Sequence, residues 1–107
     1  MASGMNGQQF QFVGYLPIDS VLRVQAIKSI ETESKQKNCT QIFIETPYRN
    51  NQLAEVLIRT CKADTLLCIA AELTSDHEMV RTKTIAEWKR TLPDLHKKTA
   101  IFLLLSQ

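Results

Sequence analysis

The sequence predicts an α/β domain built on a mixed sheet of about four to five strands flanked by helices. Three observations carry that prediction. Segments with the two-residue alternation of strands take turns with segments of helical period. Two strand segments, 66–71 and 99–105, are apolar on both faces, as interior strands of a covered sheet are. The stretch between residues 72 and 84 is polar and irregular, so regular crossovers do not make every connection and the sheet mixes directions.

The elements follow in order. Residues 9–13 alternate Phe10 and Phe12 with Gln9 and Gln11, the pattern of a strand with one wet side, and Gly14-Tyr15-Leu16-Pro17 is expected to end it. Asp19 suits a helix N-cap, and from there to about residue 37 Leu22, Ala26, Ile27 and Ile30 fall on one broad face. Residues 40–44 form the next strand. Thr46 then suits an N-cap and Pro47 the first helical position, where a missing N–H costs nothing. That helix buries Leu53, Val56 and Leu57 and breaks at Lys62-Ala63-Asp64. After strand 66–71, a short strand spans 79–82. Thr84 with Glu87 forms a capping box, so a short helix starts at Ile85 and stops before Pro93. Strand 99–105 closes the core.

At 107 residues the chain holds one domain with a real core. Its net charge of +2 points to no partner by itself. Locally, Arg81, Lys83, Lys89, Arg90, Lys97 and Lys98 outnumber Glu87 and Asp94, a pattern that suits either a solvated face or a phosphate-facing one. Cys39, Cys61 and Cys68 are odd in number and contain no C-x-x-C, which supports neither a disulfide framework nor a zinc site and fits a reduced, cytoplasmic setting. No apolar run approaches a membrane span, and no signal pattern opens the chain.

Motifs exclude more than they include. There is no G-x-G-x-x-G, no G-x-x-x-x-G-K-[ST], no H-E-x-x-H and no G-x-S-x-G, which removes P-loop NTPases, Rossmann dehydrogenases, zinc proteases and serine hydrolases. Two acidic turns remain, each after a core strand: Glu45-Thr46-Pro47-Tyr48-Arg49 and Glu72-Leu73-Thr74-Ser75-Asp76-His77-Glu78. The first reads as a capped helix start with a surface ion pair or as a rim site of an α/β sheet, the second as a hydrophilic loop or as a rim site. If the two strands are neighbours, Glu45 and Glu72 converge on one rim. His77 and His96 lie in polar surroundings and are weak candidates for a base.

Taken in order, these segments resemble a known family. Phe10-x-Phe12-x-Gly14-Tyr15-Leu16-Pro17, then Glu45-Thr46-Pro47-Tyr48-Arg49, then Ala71-Glu72-Leu73-Thr74 with His77-Glu78, then Thr84-x-x-Glu87 look like the C-terminal domain of the tetrapyrrole methylase superfamily. Within it the chain resembles the bacterial small-subunit ribosomal RNA ribose 2′-O-methyltransferases, whose pattern reads F-x-G-F-L-P, E-S-P-H-R, A-R-E-L-T, H-E and R-G-T-L. Two arginines of that pattern are replaced here, by Ala71 and by Thr82, and Lys83 stands for the glycine. Arg81 and Lys83 supply cations at neighbouring positions.

The resemblance implies a two-domain enzyme with S-adenosylmethionine in the cleft between the halves and a glycine-rich loop in the N-terminal methyltransferase half. Residues 1–8 then read as an inter-domain hinge remnant, with Ser3-Gly4-Met5 similar to the family's junction, and 9–107 as the C-terminal domain. Thr46, Ala70, Ala71, Glu72, Thr99 and Ala100 are implied on the cofactor side; Thr74, Glu78, Arg81 and Lys83 on the substrate side; Glu45 beside the acceptor, with Arg49 orienting it or holding a phosphate. No metal is implied. Ribosomal RNA is the implied substrate, a homodimer the implied assembly, and the isolated domain is expected to be inactive. A tetrapyrrole precursor as acceptor, and a non-catalytic RNA-binding or dimerisation module, are the alternatives.

Overall fold

The computed structural model describes residues 9–72, 78–92, 94–95 and 98–106. Strands β1 (Gln9–Tyr15), β2 (Cys39–Ile44), β3 (Leu66–Ala71), β4 (Met79–Thr84) and β5 (Ala100–Leu105) form one sheet in the order β1-β2-β5-β3-β4. β1 and β2 are parallel, and every other neighbouring pair is antiparallel. The mixed sheet is therefore as expected. Its central strand is β5, the last in sequence.

Register decides which side chains share a face. Phe43 stands opposite Phe102, and Phe102 opposite Ile69, so all three point the same way, and the rings of Phe43 and Phe102 stack with centroids 5.8 Å apart. On that face α1 (Ser20–Lys37), α2 (Asn50–Thr60) and α3 (Ile85–Arg90) contribute Ile27, Leu53, Leu57, Ile85 and Trp88 to one shared core. Ile44, Ala70 and Ile101 take the alternate positions and face the other way.

Several boundaries differ from expectation. β1 does not stop at Gly14: Val13 is an extra residue between Phe12 and Gly14, and Gly14, at φ +86°, resumes the ladder opposite Phe43. In α1 the Asp19 carboxylate caps Val21 and Leu22 at 3.1 and 3.0 Å, but Leu22 points outward. The buried stripe is Arg23, Ile27, Ile30, Glu31 and Ser34, which keeps helical spacing only when two charged residues are counted with the apolar ones. Glu31 is tolerated there because Oε2 accepts from the Lys62 N–H at 2.9 Å and the Thr65 hydroxyl at 2.6 Å, tying α1 to the α2–β3 turn.

Thr46 is not the cap of α2. Its carbonyl accepts from the Arg49 N–H at 2.9 Å, closing a turn around Pro47 and Tyr48, and the helix starts only at Asn50, with no side chain capping it. The competing turn takes the residues that the capping rule assigned to the helix. β4 runs on to Thr84, and there the predicted capping box is present: the Thr84 hydroxyl accepts from the Glu87 N–H at 3.2 Å and Glu87 accepts from the Thr84 N–H at 2.9 Å.

The Thr84 backbone and hydroxyl bonds hold the Glu87 carboxyl below its ordinary range. A carboxyl depressed on folding stabilises the native state above its unfolded pKa and loses that contribution as pH falls through the folded value. The stability difference between the wild type and Glu87→Gln, followed by urea denaturation from pH 7 downward, is expected to shrink to nothing in acid.

Candidate functional site

The carboxyl ends of β1, β2 and β3 and the amino end of β5 share one edge of the sheet, because Tyr15 pairs with Ile44, Ile44 with Ile101 and Ala71 with Ala100. A cleft of about 350 Å³ opens along it. One wall is Tyr15, Ile44, Glu45, Thr46 and Pro47; the other is Ala70, Thr99, Ala100 and Ile101. The sides are apolar, with polar groups from Glu45, Thr46 and Thr99 among them.

Five of the predicted residues meet in this cleft: Glu45, Thr46, Ala70, Thr99 and Ala100. Ala71 stands opposite Ala100 on the core face; of the two, Ala100, at the start of β5, also lines the cleft. Glu72 follows at φ 54°, a left-handed conformation unusual for glutamate, and its N–H donates to the Thr99 carbonyl at 2.9 Å, fixing the lip of the second wall. Glu45 and Glu72 share the rim, yet β2 and β3 are not neighbours. β5 lies between them, which sets the two rim turns about 10 Å apart.

Arg49 is half-exposed and holds a guanidinium nitrogen 3.7 Å from Glu45 Oε1 at the margin of the cleft. Arg81 and Lys83 are not brought to it. They sit on the edge strand β4, beyond β3 and β5, and the Lys83 ammonium rests 4.8 Å over the Trp88 ring. Glu78 is exposed just before β4. Thr74, His77 and His96 lie outside the described residues.

Two groups escaped the sequence reading. Arg23, from the first turn of α1, donates from Nη2 to Glu45 Oε2 and from Nε to the Pro17 carbonyl at 2.9 Å, and both charged side chains are almost fully buried. The Thr46 N–H donates to the other Glu45 oxygen at 2.7 Å. The available signal was spacing, since Arg23 is four residues before Ile27 on the buried stripe. Asn50 and Asn51 are the second group: the Asn50 amide donates to the Lys98 carbonyl at 2.6 Å, and Asn51 accepts from the Leu95 N–H at 2.8 Å. They clamp the chain that leads into Thr99.

Nucleophilic and metal chemistry have little support among the described residues. All three cysteines are buried and free; burial, reinforced by the Glu31 carboxylate, drives the Cys61 thiol far above its ordinary range, and burial raises Cys68 too. Among the described residues no group of three or more His, Cys, Asp or Glu is placed to hold a metal ion, and no helix is long and apolar enough to cross a membrane. What the arrangement offers is a cleft with one immobilised carboxylate, held by Arg23 and the Thr46 N–H, at its edge.

This is an α/β domain with a cleft outside the strand ends, where open sheets place their ligand sites. Comparisons with known proteins narrow the class. No family model matches the chain. It is 27% identical over 107 residues to the ribosomal RNA small subunit methyltransferase I of Buchnera aphidicola subsp. Schizaphis graminum, which covers 97% of this chain and 36% of that protein. It is 33% identical over 94 residues to the protein of the same name from Halalkalibacterium halodurans, covering 84% of this chain and 30% of that protein. The chain thus spans about a third of the length of these relatives. Among solved structures, the methyltransferase CobJ shares the fold with a TM-score of 0.53 at 12% identity, covering 92% of this chain and 41% of CobJ. The chain is thus similar to methyltransferases of the kind its motifs resemble, those of the tetrapyrrole methylase superfamily.

Proposed function

We propose that this chain is the C-terminal cleft domain of an S-adenosylmethionine-dependent methyltransferase that 2′-O-methylates ribosomal RNA, with residues 1–8 as the hinge from an N-terminal methyltransferase half. The observation that carries the reading is the coincidence of five predicted residues in one rim cleft, in a chain akin to ribosomal RNA methyltransferases. The protein is read as a cytoplasmic homodimer. The exposed apolar side chains of Phe12, Tyr15, Ile18, Val21 and Tyr48 offer surface for the second half or the second copy.

The fit to the cofactor rests on the chemistry of the walls. Tyr15, Ile44, Ala70 and Ile101 suit a purine ring or the aliphatic part of the methionine chain, and the hydroxyls of Thr46 and Thr99 suit its polar edges. S-adenosylmethionine supplies a methyl group already activated on sulfonium. What remains for this domain is to hold one wall of the site, exclude water and keep the acceptor ribose aligned, since alignment provides much of the rate. Glu45 has both oxygens engaged, so its role here is to fix the Thr46 wall rather than to take a proton. Arg49, half-exposed at the margin, is left to meet a backbone phosphate.

Methyl transfer by the full-length protein to undermethylated small ribosomal subunits tests this. Labelled S-adenosylmethionine is expected to mark the RNA, and Arg49→Ala to raise the KM for RNA several-fold while weakening its dependence on salt. Absence of label in RNA, with cofactor binding intact, would move the acceptor to a tetrapyrrole precursor.

A further inference from the structure

We infer that Arg23 is a positioning residue of the cleft, holding the Tyr15–Pro17 and Glu45–Pro47 segments of its first wall in register through one buried carboxylate. The ligand half of this inference rests on the cleft being the cofactor site proposed above.

Three observations support it. First, Arg23 bonds to both segments at once: its Nε–H reaches the Pro17 carbonyl, two residues after Tyr15, and its Nη2–H reaches Glu45, whose other oxygen fixes the Thr46 N–H. The two segments end adjacent parallel strands and carry no ladder bond beyond Tyr15 and Ile44, so the guanidinium continues the connection where the sheet stops. Secondly, the position is an unfavourable one for a cation. Arg23 is in the first turn of α1, which contains no acidic residue and where the helix dipole favours negative charge. Beyond the Asp19 cap, the negative charge that meets the Arg23 guanidinium comes from another element, in Glu45. Thirdly, the pair is buried, with side-chain exposures of 5% and 2%, where an apolar pair of similar volume commonly serves stability as well or better. What an apolar pair cannot supply is the fork geometry, two directed donors on a rigid plane joining a carbonyl to a carboxylate. Arg49 approaches the same carboxylate at 3.7 Å from the solvent side and cannot reproduce the bond to Pro17.

The experiment compares the full-length wild type with Arg23→Lys and with the double variant Arg23→Met/Glu45→Gln, which leaves no buried charge unpaired. Two quantities are read: hydrogen exchange of the Thr46 amide without ligand, and the affinity for S-adenosylmethionine by calorimetry. In both variants the Thr46 amide is expected to exchange about tenfold faster and the cofactor to bind about tenfold more weakly, the factor for one charge-assisted hydrogen bond. The loss should fall on KM for the cofactor more than on kcat, with the melting temperature of the double variant close to wild type. Unchanged Thr46 exchange in both variants overturns the inference. So does faster exchange with unchanged affinity, which would make the pair merely structural. If the wild type binds no S-adenosylmethionine, the proposed function fails, and Thr46 exchange alone decides whether Arg23 joins the two segments.

Discussion

Trp88→Ala is expected to lower the unfolding free energy by about 3–5 kcal/mol, the usual cost of removing a large buried aromatic side chain. Trp88 is 2% exposed and packs in the core shared by the three helices. Its indole N–H donates to the Leu67 carbonyl at 2.8 Å, which places α3 against the central part of the sheet. Alanine empties the site, removes that donor and takes away the ring under Lys83. A loss of this size is a large part of the roughly 5–15 kcal/mol that holds a typical domain together. Trp88→Phe separates the contributions, keeping most of the packing while leaving the carbonyl without its donor; about 1–3 kcal/mol is expected. Urea denaturation followed by circular dichroism measures both, since Trp88 is the sole tryptophan and its fluorescence is lost in the variants. A change below about 1 kcal/mol in Trp88→Ala would contradict the packing described.

Glu45→Ala is expected to cost a similar amount, about 3–5 kcal/mol, for a different reason. Little apolar surface is lost. Instead the Arg23 guanidinium is left in a nearly dry site with only the Pro17 carbonyl for a partner. The cost belongs to the stranded charge, so removing Arg23 as well should recover most of it. Urea unfolding of Glu45→Ala beside Arg23→Met/Glu45→Ala gives the coupling directly. If the double variant is as unstable as the single one, the lost stability lies in the Thr46 bond and the turn rather than in the buried arginine.

Much of this architecture was legible from pattern alone, and the exceptions have physical causes. The doubly apolar β3 and β5 announced themselves as interior strands, and the Thr84–Glu87 box marked the start of α3 because both of its partners lie within four residues. Errors arose where a distant group decided the outcome. Nothing local distinguishes the exposed Leu22 from the buried Arg23; only Glu45, 22 residues on, makes burial of the arginine tolerable. Thr46-Pro47 satisfies the rules for a helix start, yet Glu45 takes the Thr46 N–H and the Thr46 carbonyl closes a turn, delaying α2 to Asn50. The rim was readable from the residues, since Glu45 and Glu72 each directly follow a core strand, whereas Thr46, Ala70, Thr99 and Ala100 were implied by the family resemblance alone and line the cleft with Glu45. Strand order was not: no local pattern says that β5 separates β2 from β3, so neither the distance between the acidic turns nor the remoteness of Arg81 and Lys83 could be read in advance.

That strand order also has a consequence in time. The sheet is two incomplete pieces, β1-β2 and β3-β4, until the last-made strand arrives to pair with both. During synthesis β2 and β3 therefore wait with open hydrogen-bonding edges and uncovered phenylalanine and leucine side chains, a state in which strands seek foreign partners. Completion depends on contacts far apart in sequence, so folding is expected to be slow for a chain of this length. Newly made chains should accordingly depend on being shielded on the ribosome until Leu105 has cleared the exit tunnel.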